Sequence, residues 1–466
     1  MKKILCLFLV FCLCFSLTGC GSEPESTENT KPESGAQTED SALEAAAGLL
    51  KTMTLEEKIG QLLMVDVDKL VNGKKPVQEA LPELLEALDK YKVGGLVFYD
   101  QNIKGVEQVQ TMLRQIKEYV AASPQIRIPL YLATQEEGGG RNSIAAQNDE
   151  IRSTGYISPS EMGKNMTVEQ LEDTGEIIGE ELLNLGFNMN FAPVADVVEE
   201  EKTIDTSAVE ESVVAVLGKE PEYIPPAKKI SKAKRKKKRR AYKKRLQAYQ
   251  EKYERFVESY MENNYCDSCF DSDEEKVSEA AAAMIQGMHA SHTEDGTNLC
   301  TVLKMFPGIC SVAKYHKLVP VGIDTGLSRL RRVNFEPFAA GIDAGTDVVM
   351  VSHASLDKID PQIPSSLSAV IMSDLLRKEL GFRGIIMTEQ MDLPVVTTRY
   401  TTGEAAVKAI ASGADMIYNP ENIEEAVNAL RQAVQTEEID EKVIDQAVLR
   451  ILQNKILREV YPLPGE

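Results

Sequence analysis

Tryptophan is absent from the 466-residue chain, and this absence limits how the protein could stack against a flat ligand. Tryptophan offers the largest aromatic surface of any side chain. The sequence retains 15 tyrosines and 12 phenylalanines. Any aromatic platform in this protein must therefore be built from Tyr or Phe.

Cysteine and histidine are too sparse to indicate a metal centre. Outside the first twenty residues only Cys266, Cys269, Cys300 and Cys310 remain. Cys266 and Cys269 have the spacing of metal ligands, but no second pair and no histidines at zinc spacing accompany them. We expect free thiols or one local disulfide, and the sequence predicts neither a metal nor another cofactor.

The net charge of −20 argues against nucleic acid as the main partner. Residues 202–265 differ from the rest of this acidic chain, because their centre, residues 228–245, is almost unbroken positive charge. One interpretation is an insertion that binds an anionic envelope polymer or anionic lipid headgroups. The other, which we favour, is a solvated and partly helical insertion without a specific partner.

The first twenty residues have the pattern of an export signal. Lys2 and Lys3 precede an apolar run, Ile4–Phe15, which is too short to span a bilayer comfortably. Leu17–Cys20 then resembles a bacterial lipobox, in which Cys20 would accept a diacylglycerol. An ordinary secretory signal with a chance cysteine is the alternative. The pattern predicts a signal peptide over 1–20 and an extracytoplasmic protein held at the cell membrane by lipid on Cys20.

Residues 21–42 contain no large apolar side chain and are predicted to be a disordered tether, because nothing in them can offset the entropy of folding. From residue 43 onward, short apolar runs alternate with amphipathic stretches, which indicates βα units and a parallel sheet. Thr54 and Glu57 form a capping-box pattern, and Ile59, Leu62 and Leu63 fall on one helical face. The predicted strands are Gly94–Phe98, Leu130–Ala133, Asn188–Ala192, Asp347–Val351, Gly384–Met387 and Ala414–Tyr418.

Six segments, in this order, carry a family resemblance: Met53–Leu62, Glu136–Gly139, Asn190–Val197, Lys304–Gly308, Gly345–His353 and Gly381–Ile386. Together they resemble the N-terminal barrel domain of glycoside hydrolase family 3, and in length the single-domain β-N-acetylhexosaminidases that recycle peptidoglycan sugars. The resemblance implies one α/β domain over 43–466, a TIM-type (β/α)8 barrel with the basic segment 202–265 inserted. In such barrels the chemistry lies at the C-terminal ends of the strands.

The resemblance implies hydrolysis by double displacement, in which a carboxylate attacks the anomeric carbon and an acid protonates the leaving oxygen. Glu389 falls at the position of the nucleophile and His316 at that of the acid. Positions that would bind the sugar are occupied by Gln135, Lys304, Met305, Ser268 and His353.

Several of these positions depart from the family pattern. Glu389 replaces an aspartate, Gln135 another aspartate, Met305 a histidine, Ser268 an arginine, and Lys314 the aspartate that pairs with the acid. A lysine close to His316 would disfavour the protonated ring, so the imidazole would be a poor acid near neutral pH. Gln135 loses a charge-assisted bond and Ser268 cannot form a bidentate clamp. The sequence predicts a weak or absent hydrolase.

Other polar residues receive lesser roles. Glu136 and Glu137 are expected to shape the loop below the sugar, and Asp196 to anchor the loop after its strand. Asp392 would be a substitute carboxylate only in another alignment. His289 and His292 have no family counterpart and are predicted to lie on the surface.

Three hypotheses follow. The first is a hydrolase of terminal β-linked (N-acetyl)hexosamine or glucose in cell-wall or other glycans, with a degenerate site. The second is a non-catalytic, lipid-anchored protein that binds glycan or peptidoglycan fragments. The third is an assembly role through the basic insertion.

Overall fold

The computed structural model describes residues 39–71, 73, 75–139, 144, 151, 157–197, 240–247, 268–308, 322–323 and 325–462. Cys20, the basic residues 228–239, Cys266, Cys310, Lys314 and His316 lie outside these residues. The predictions made for them therefore remain predictions.

Eight parallel strands form the centre of the fold. In chain order the strands of the structure are β1 Leu63–Asp66, β2 Gly95–Val97, β3 Tyr131–Thr134, β4 Met189–Asn190, β5 Cys300–Phe306, β6 Gly322–Ile323, β7 Val348–Val351, β8 Ser355–Leu356, β9 Ile385–Thr388 and β10 Ile417–Tyr418. The order of the eight central strands is β10–β1–β2–β3–β4–β5–β7–β9, and a parallel bridge between Met387 and Met416 joins the two outer strands into a closed barrel. The other two strands, β6 and β8, pair outside the barrel.

Helices follow most of the strands and bury their apolar faces against the barrel. They are α1 Glu39–Leu50, α2 Leu55–Gln61, α3 Val67–Leu70, α4 Pro82–Tyr91, α5 Val106–Ala122, α6 Pro159–Asn165, α7 Val168–Leu185, α8 Glu274–Ala290, α9 Leu327–Arg329, α10 Phe335–Asp343, α11 Pro394–Thr397, α12 Thr402–Ala411, α13 Ile423–Gln435 and α14 Glu441–Leu457. Leu330–Asn334 and Val370–Glu379 are π-helical, and Asp100–Asn102 and Ser365–Leu367 are 3₁₀ turns. The (β/α)8 prediction is confirmed.

Local sequence signals explain where several helices begin. Thr54 caps α2: its hydroxyl accepts from the Glu57 amide, and the Glu57 carboxylate accepts from the Thr54 amide. This confirms the predicted capping box. Thr401 and Glu404 repeat the arrangement at α12.

Two local predictions were wrong. Helix α2 ends at Gln61 and Leu63 opens β1, so Leu62 and Leu63 do not continue the predicted helical face. A short apolar run fits a buried strand as well as a helix, and periodicity alone does not separate the two. The first helix also begins at Glu39 and buries Ala42, so folded structure starts within the segment predicted to be a tether.

Helix α14 closes the end of the barrel at which the strands begin. The ammonium group of Lys455 is fully buried there and donates to Gln61 Oε1 at 2.8 Å, to the Gly94 carbonyl at 2.9 Å and to the Pro129 carbonyl at 2.7 Å. It also lies 4.7 Å from the centre of the Tyr131 ring, a cation–π distance. This end is a packed plug, so a site must lie at the other end.

No helix among the described residues is long and apolar enough to cross a membrane.

Candidate active site

The open end of the barrel is called the mouth here; it is formed by the residues at which the strands finish, including Asp66, Tyr99, Gln135, Lys304 and Glu389. Parallel strands finish on the same side of a barrel, so polar side chains that follow each strand converge. Three of the predicted site residues, Gln135, Lys304 and Glu389, lie at this end.

Glu389 directly follows β9 and is only 5% exposed. Its amide donates to the Val351 carbonyl at 2.9 Å, which continues the pairing of β9 with β7. Its carboxylate Oε2 accepts from the backbone amide of His353 at 3.3 Å. The position and chemistry suit a nucleophile held at the rim of the barrel.

The ring of His353 is directed into the protein. Its Nδ1 lies 2.6 Å from Ser366 Oγ, its Nε2 lies 2.8 Å from the Gln390 carbonyl, and the residue is 1% exposed. Both ring nitrogens therefore contact protein groups in this structure. The predicted contact with substrate would require this arrangement to change.

Lys304, Glu137 and Gln135 form a second cluster at the mouth. The ammonium group of Lys304 pairs with Glu137 Oε1, and the Gln135 amide donates to the same oxygen at 3.2 Å. Lys304 and Glu137 are both at least nine-tenths buried. The pair orients the lysine side chain, and Gln135 is the more exposed member of the cluster.

The backbone around this cluster is fixed by buried polar side chains. Asn190 at the end of β4 exchanges two hydrogen bonds of 2.9 Å with the backbone of Glu136. The carboxylate of Glu136 turns back to accept from the Gly138 amide at 3.2 Å. Glu136 therefore shapes the turn after β3, as its motif predicted.

Met305 occupies a bulge at the end of β5, where the pairing with β7 shifts register between Leu303 and Phe306. Its φ of 78° is in the left-handed region, which is uncommon for a residue other than glycine. The side chain is 5% exposed. A thioether at this position fills space but cannot donate the hydrogen bond of the histidine that the family pattern contains.

Sequence reasoning missed a polar group beside Glu389. The Gln390 amide donates to the Tyr99 hydroxyl at 2.8 Å and to the Tyr418 hydroxyl at 3.2 Å, and the two hydroxyls contact each other. Phe191 meets the Tyr418 ring edge-on, with 5.2 Å between ring centres. All three polar residues lie just after or at the end of a strand, and that position was the signal that could have identified them.

A carboxyl group at the end of β1 has an unusual environment. Burial raises the pKa of Asp66 to about 6, and the nearby Asp68 and Asp392 carboxylates add to this, although the Asp68 amide and Lys69 oppose it. Asp392 itself contacts Lys69 at 2.7 Å and the Asn419 amide at 2.9 Å. Asp392 is thus engaged in a salt bridge beside the mouth.

Ser268 and His289 lie near the beginning and near the end of α8. Ser268 is buried, just before α8. His289, which was predicted to lie on the surface, is partly buried. His289 is part of α8, and its Nε2 lies 3.0 Å from Asp347 Oδ2 at the plugged end of the barrel. His292 is exposed, as predicted.

In the part of the chain that the structure describes, no group of three or more His, Cys, Asp or Glu side chains could hold a metal ion. Cys269 and Cys300 are buried thiols. Cys300 lies at the start of β5, at the end of the barrel opposite Glu389.

Comparison with known proteins agrees with the barrel fold. The model of the glycosyl hydrolase family 3 N-terminal domain matches residues 54–220 and 257–454. The chain belongs to this family. The unmatched residues between the two ranges fall within the predicted insertion, 202–265.

Individual relatives are more distant. Over 86% of this chain and 61% of the relative, the protein is 22% identical to β-hexosaminidase A of Pseudoalteromonas piscicida. It superposes with a TM-score of 0.66 and 23% identity on a family 3 β-N-acetylglucosaminidase from Paenibacillus sp. str. FPU-7, covering 89% of this chain and 64% of that one. With the β-N-acetylhexosaminidase from Beutenbergia cavernae DSM 12333 the TM-score is 0.63 and the identity 25%, covering 86% of this chain and 98% of the other.

The chain thus spans less than two thirds of the first two relatives.

Proposed function

We propose that this protein is a slow retaining glycosidase that removes a terminal β-linked sugar, with N-acetylhexosamine as the preferred residue. The observation that carries the proposal is the position of Glu389, a buried carboxylate at the mouth with one oxygen fixed by the His353 amide. The family membership and the β-hexosaminidase relatives support the choice of chemistry and of sugar.

In this proposal one carboxylate oxygen of Glu389 attacks the anomeric carbon while the bond to the leaving oxygen breaks. The leaving oxygen takes a proton from an acid, and water then cleaves the glycosyl ester with retention of configuration. His316 is the proposed acid. Lys304, oriented by Glu137, and Gln135 are the proposed contacts for sugar hydroxyls.

The substitutions explain why the rate is expected to be low. Glutamate is one methylene longer than aspartate, and a misplacement of about 1 Å at the reacting centre can cost ~10²-fold in rate. Met305 has no hydrogen-bond donor, and Gln135 carries no charge. The losses act on one site, so they do not simply add.

The first test compares wild type with Glu389→Ala on an aryl β-N-acetylglucosaminide across a broad pH range. Loss of a nucleophile is expected to reduce kcat by on the order of 10⁴-fold. Glu107→Ala removes an exposed glutamate from α5 and serves as the matched control. Wild-type turnover no greater than that of Glu389→Ala would refute the hydrolase proposal.

A gain-of-function series tests the same proposal from the other side. Glu389→Asp combined with Gln135→Asp restores two family residues, and kcat/KM is expected to rise by about 10-fold or more as the carboxylate regains its reach and the charge-assisted bond returns. A double variant slower than wild type would show that this site is adapted to glutamate and that our account of the substitutions is wrong.

A second candidate function is glycan binding without hydrolysis. The specific observation in its favour is that five family positions are substituted, namely those of Gln135, Ser268, Met305, Lys314 and Glu389. Calorimetry with N-acetylglucosamine-containing muropeptide fragments separates the candidates. Binding heat without turnover favours the binding protein, and absence of both binding and turnover excludes both candidates.

We further propose that Cys20 carries lipid and that the domain lies outside the cytoplasm at the membrane surface. A polypeptide that carries two acyl chains is held at a membrane without a spanning helix. Radiolabelled fatty acid should label wild type and not Cys20→Ser. Deletion of residues 202–265 in the same background asks whether the basic segment adds to envelope association; unchanged association would leave the lipid as the sole attachment.

A further inference from the structure

His353 contacts both Glu389 and its neighbour in the chain. The His353 amide donates to the Glu389 carboxylate, and the His353 ring contacts the Gln390 carbonyl at 2.8 Å. One residue from the end of β7 therefore fixes two consecutive groups at the end of β9. The carboxylate and the backbone beneath it are held by the same neighbour.

The ring chemistry fixes the proton on Nε2. The Gln390 carbonyl can only accept a hydrogen bond, so His353 Nε2 must be the donor in that contact. In the neutral ring, Nδ1 then accepts from the hydroxyl of Ser366 at 2.6 Å. The Ser366 hydroxyl thus selects the tautomer that donates toward β9.

Ser366 is itself anchored to the same strand end. Its amide donates to the Ser352 carbonyl at 3.0 Å, and the neighbouring Ser365 amide and hydroxyl donate to the Ala354 carbonyl at 2.9 and 2.7 Å. The 3₁₀ turn Ser365–Leu367 therefore clamps the residues on both sides of His353. The ring has little freedom to leave the Gln390 carbonyl.

We propose that His353 is a positioning residue, which sets the reach and the direction of the Glu389 carboxylate through its amide and its ring. The inference rests on the proposed function, because positioning affects rate only where Glu389 reacts. Glutamate has one more rotatable bond than aspartate, so a fixed oxygen restricts a side chain that would otherwise sample several rotamers.

The test uses the full chain with four variants. His353→Leu removes both ring contacts, His353→Gln keeps one amide donor, and Ser366→Ala removes only the tautomer-selecting hydroxyl. Tyr131→Phe is the matched control, because it removes a partly buried 2.6 Å hydrogen bond to Asn454 at the plugged end of the barrel. Kinetics on the aryl glycoside separate kcat from KM, and crystal structures locate the Glu389 carboxylate.

For His353→Leu we expect kcat to fall by ~10²-fold with KM within about 2-fold, because the carboxylate moves by about 1 Å while the sugar contacts stay. His353→Gln should recover part of this loss, Ser366→Ala should lose about 3- to 10-fold, and Tyr131→Phe should change kcat by less than about 2-fold. If His353→Leu does not fold, Ser366→Ala carries the test because it leaves the imidazole in the core.

An unchanged kcat in a variant that lacks the ring contact, or an unmoved carboxylate in its crystal structure, would overturn the inference. An equal loss in Tyr131→Phe would assign the effect to general stability and would overturn it as well. If wild type shows no turnover, the proposed hydrolase fails by itself. The position of the Glu389 carboxylate in the variant crystals then decides whether His353 positions it.

Discussion

At the plugged end of the barrel Asp347 meets Arg458 at 2.7 Å and His289 at 3.0 Å, whereas at the mouth Asp66 faces two further carboxylates and one lysine. Burial alone would raise the pKa of Asp347, but Arg458 and His289 hold it well below its usual range. For Asp66 burial prevails and raises the pKa to about 6.

The pKa of a buried carboxyl group is therefore lowered at the plugged end and raised at the mouth. At the plugged end Asp347 is paired with Arg458, and Lys455 donates to three acceptors. At the mouth, among the described residues, Ser352 Oγ and Asp392 Oδ1 are buried without a hydrogen-bond partner. A raised carboxyl pKa at the strand ends is typical of a functional site, whereas the lowered pKa of Asp347 belongs to a stabilising ion pair.

The largest effect is expected from Asp347→Asn. The substitution leaves the largely buried Arg458 guanidinium without its carboxylate, and breaking a buried pair costs about 3–5 kcal/mol of unfolding free energy. Because the folded pKa is lowered, this stabilisation is complete above the unfolded pKa of about 3.9 and is lost as the pH falls below it. Urea unfolding at several pH values should therefore show the difference narrowing in acid.

The exposed Asp343→Asn in α10 is the control for that measurement. If Asp347→Asn lowered glycoside turnover per folded molecule, the plugged end would affect catalysis as well as stability, which would contradict the comparison.

Lys455→Met is expected to cost about 2 kcal/mol, since three buried acceptors lose their donor while the burial of a charge is relieved. Burial lowers the pKa of Lys455 well below its usual value. The unfolded state then binds more protons than the folded state between the two pKa values, so wild-type stability rises with pH in that window. The gap between wild type and variant should widen from neutral to alkaline pH. A gap independent of pH would contradict the lowered pKa.

The smallest effect, and one of opposite sign, is expected from Asp66→Asn. The folded pKa of about 6 lies above the unfolded value, so the ionised carboxylate destabilises the fold above pH 6 and has no effect below about pH 4. Because Asp66 is partly exposed, we expect a gain of only about 1 kcal/mol at neutral pH. Asparagine can still cap α3, where the Asp68 amide donates to Oδ1 at 2.8 Å. Thermal unfolding at pH 4 and pH 8 checks the result: a loss at pH 8 would show that Lys69 dominates.

Much of the barrel could be predicted because a strand buried on both faces appears as an apolar run. Asp347–Val351 and Gly384–Met387 were predicted within a residue of β7 and β9. Strand β5 was harder, since Lys304 interrupts its apolar run and is paired with the Glu137 carboxylate, which follows β3. That pairing is a tertiary contact that local pattern does not contain.

The site could be predicted less completely than the fold. Glu389 and Lys304 were predicted from family motifs, and the structure places Glu389 directly after β9 and Lys304 within the last three residues of β5. The contacts of the Gln390 amide, Tyr99 and Tyr418 depend on the barrel closing between β9 and β10, so residues nearly 300 positions apart become neighbours. The contact of His289 with Asp347 also joins residues that are far apart in the sequence.

Helix α1 packs against α14, and the Gln453 side chain donates to the Glu39 carbonyl at 3.2 Å. The beginning and the end of the folded domain are therefore neighbours, both on the side of the barrel away from Glu389. A short peptide linker could join them, and new termini could be opened in the exposed turn at 436–438 without crossing the site. The fold is thus suited to circular permutation, and permutants could report whether the path of the chain or only its packing determines the geometry of the mouth.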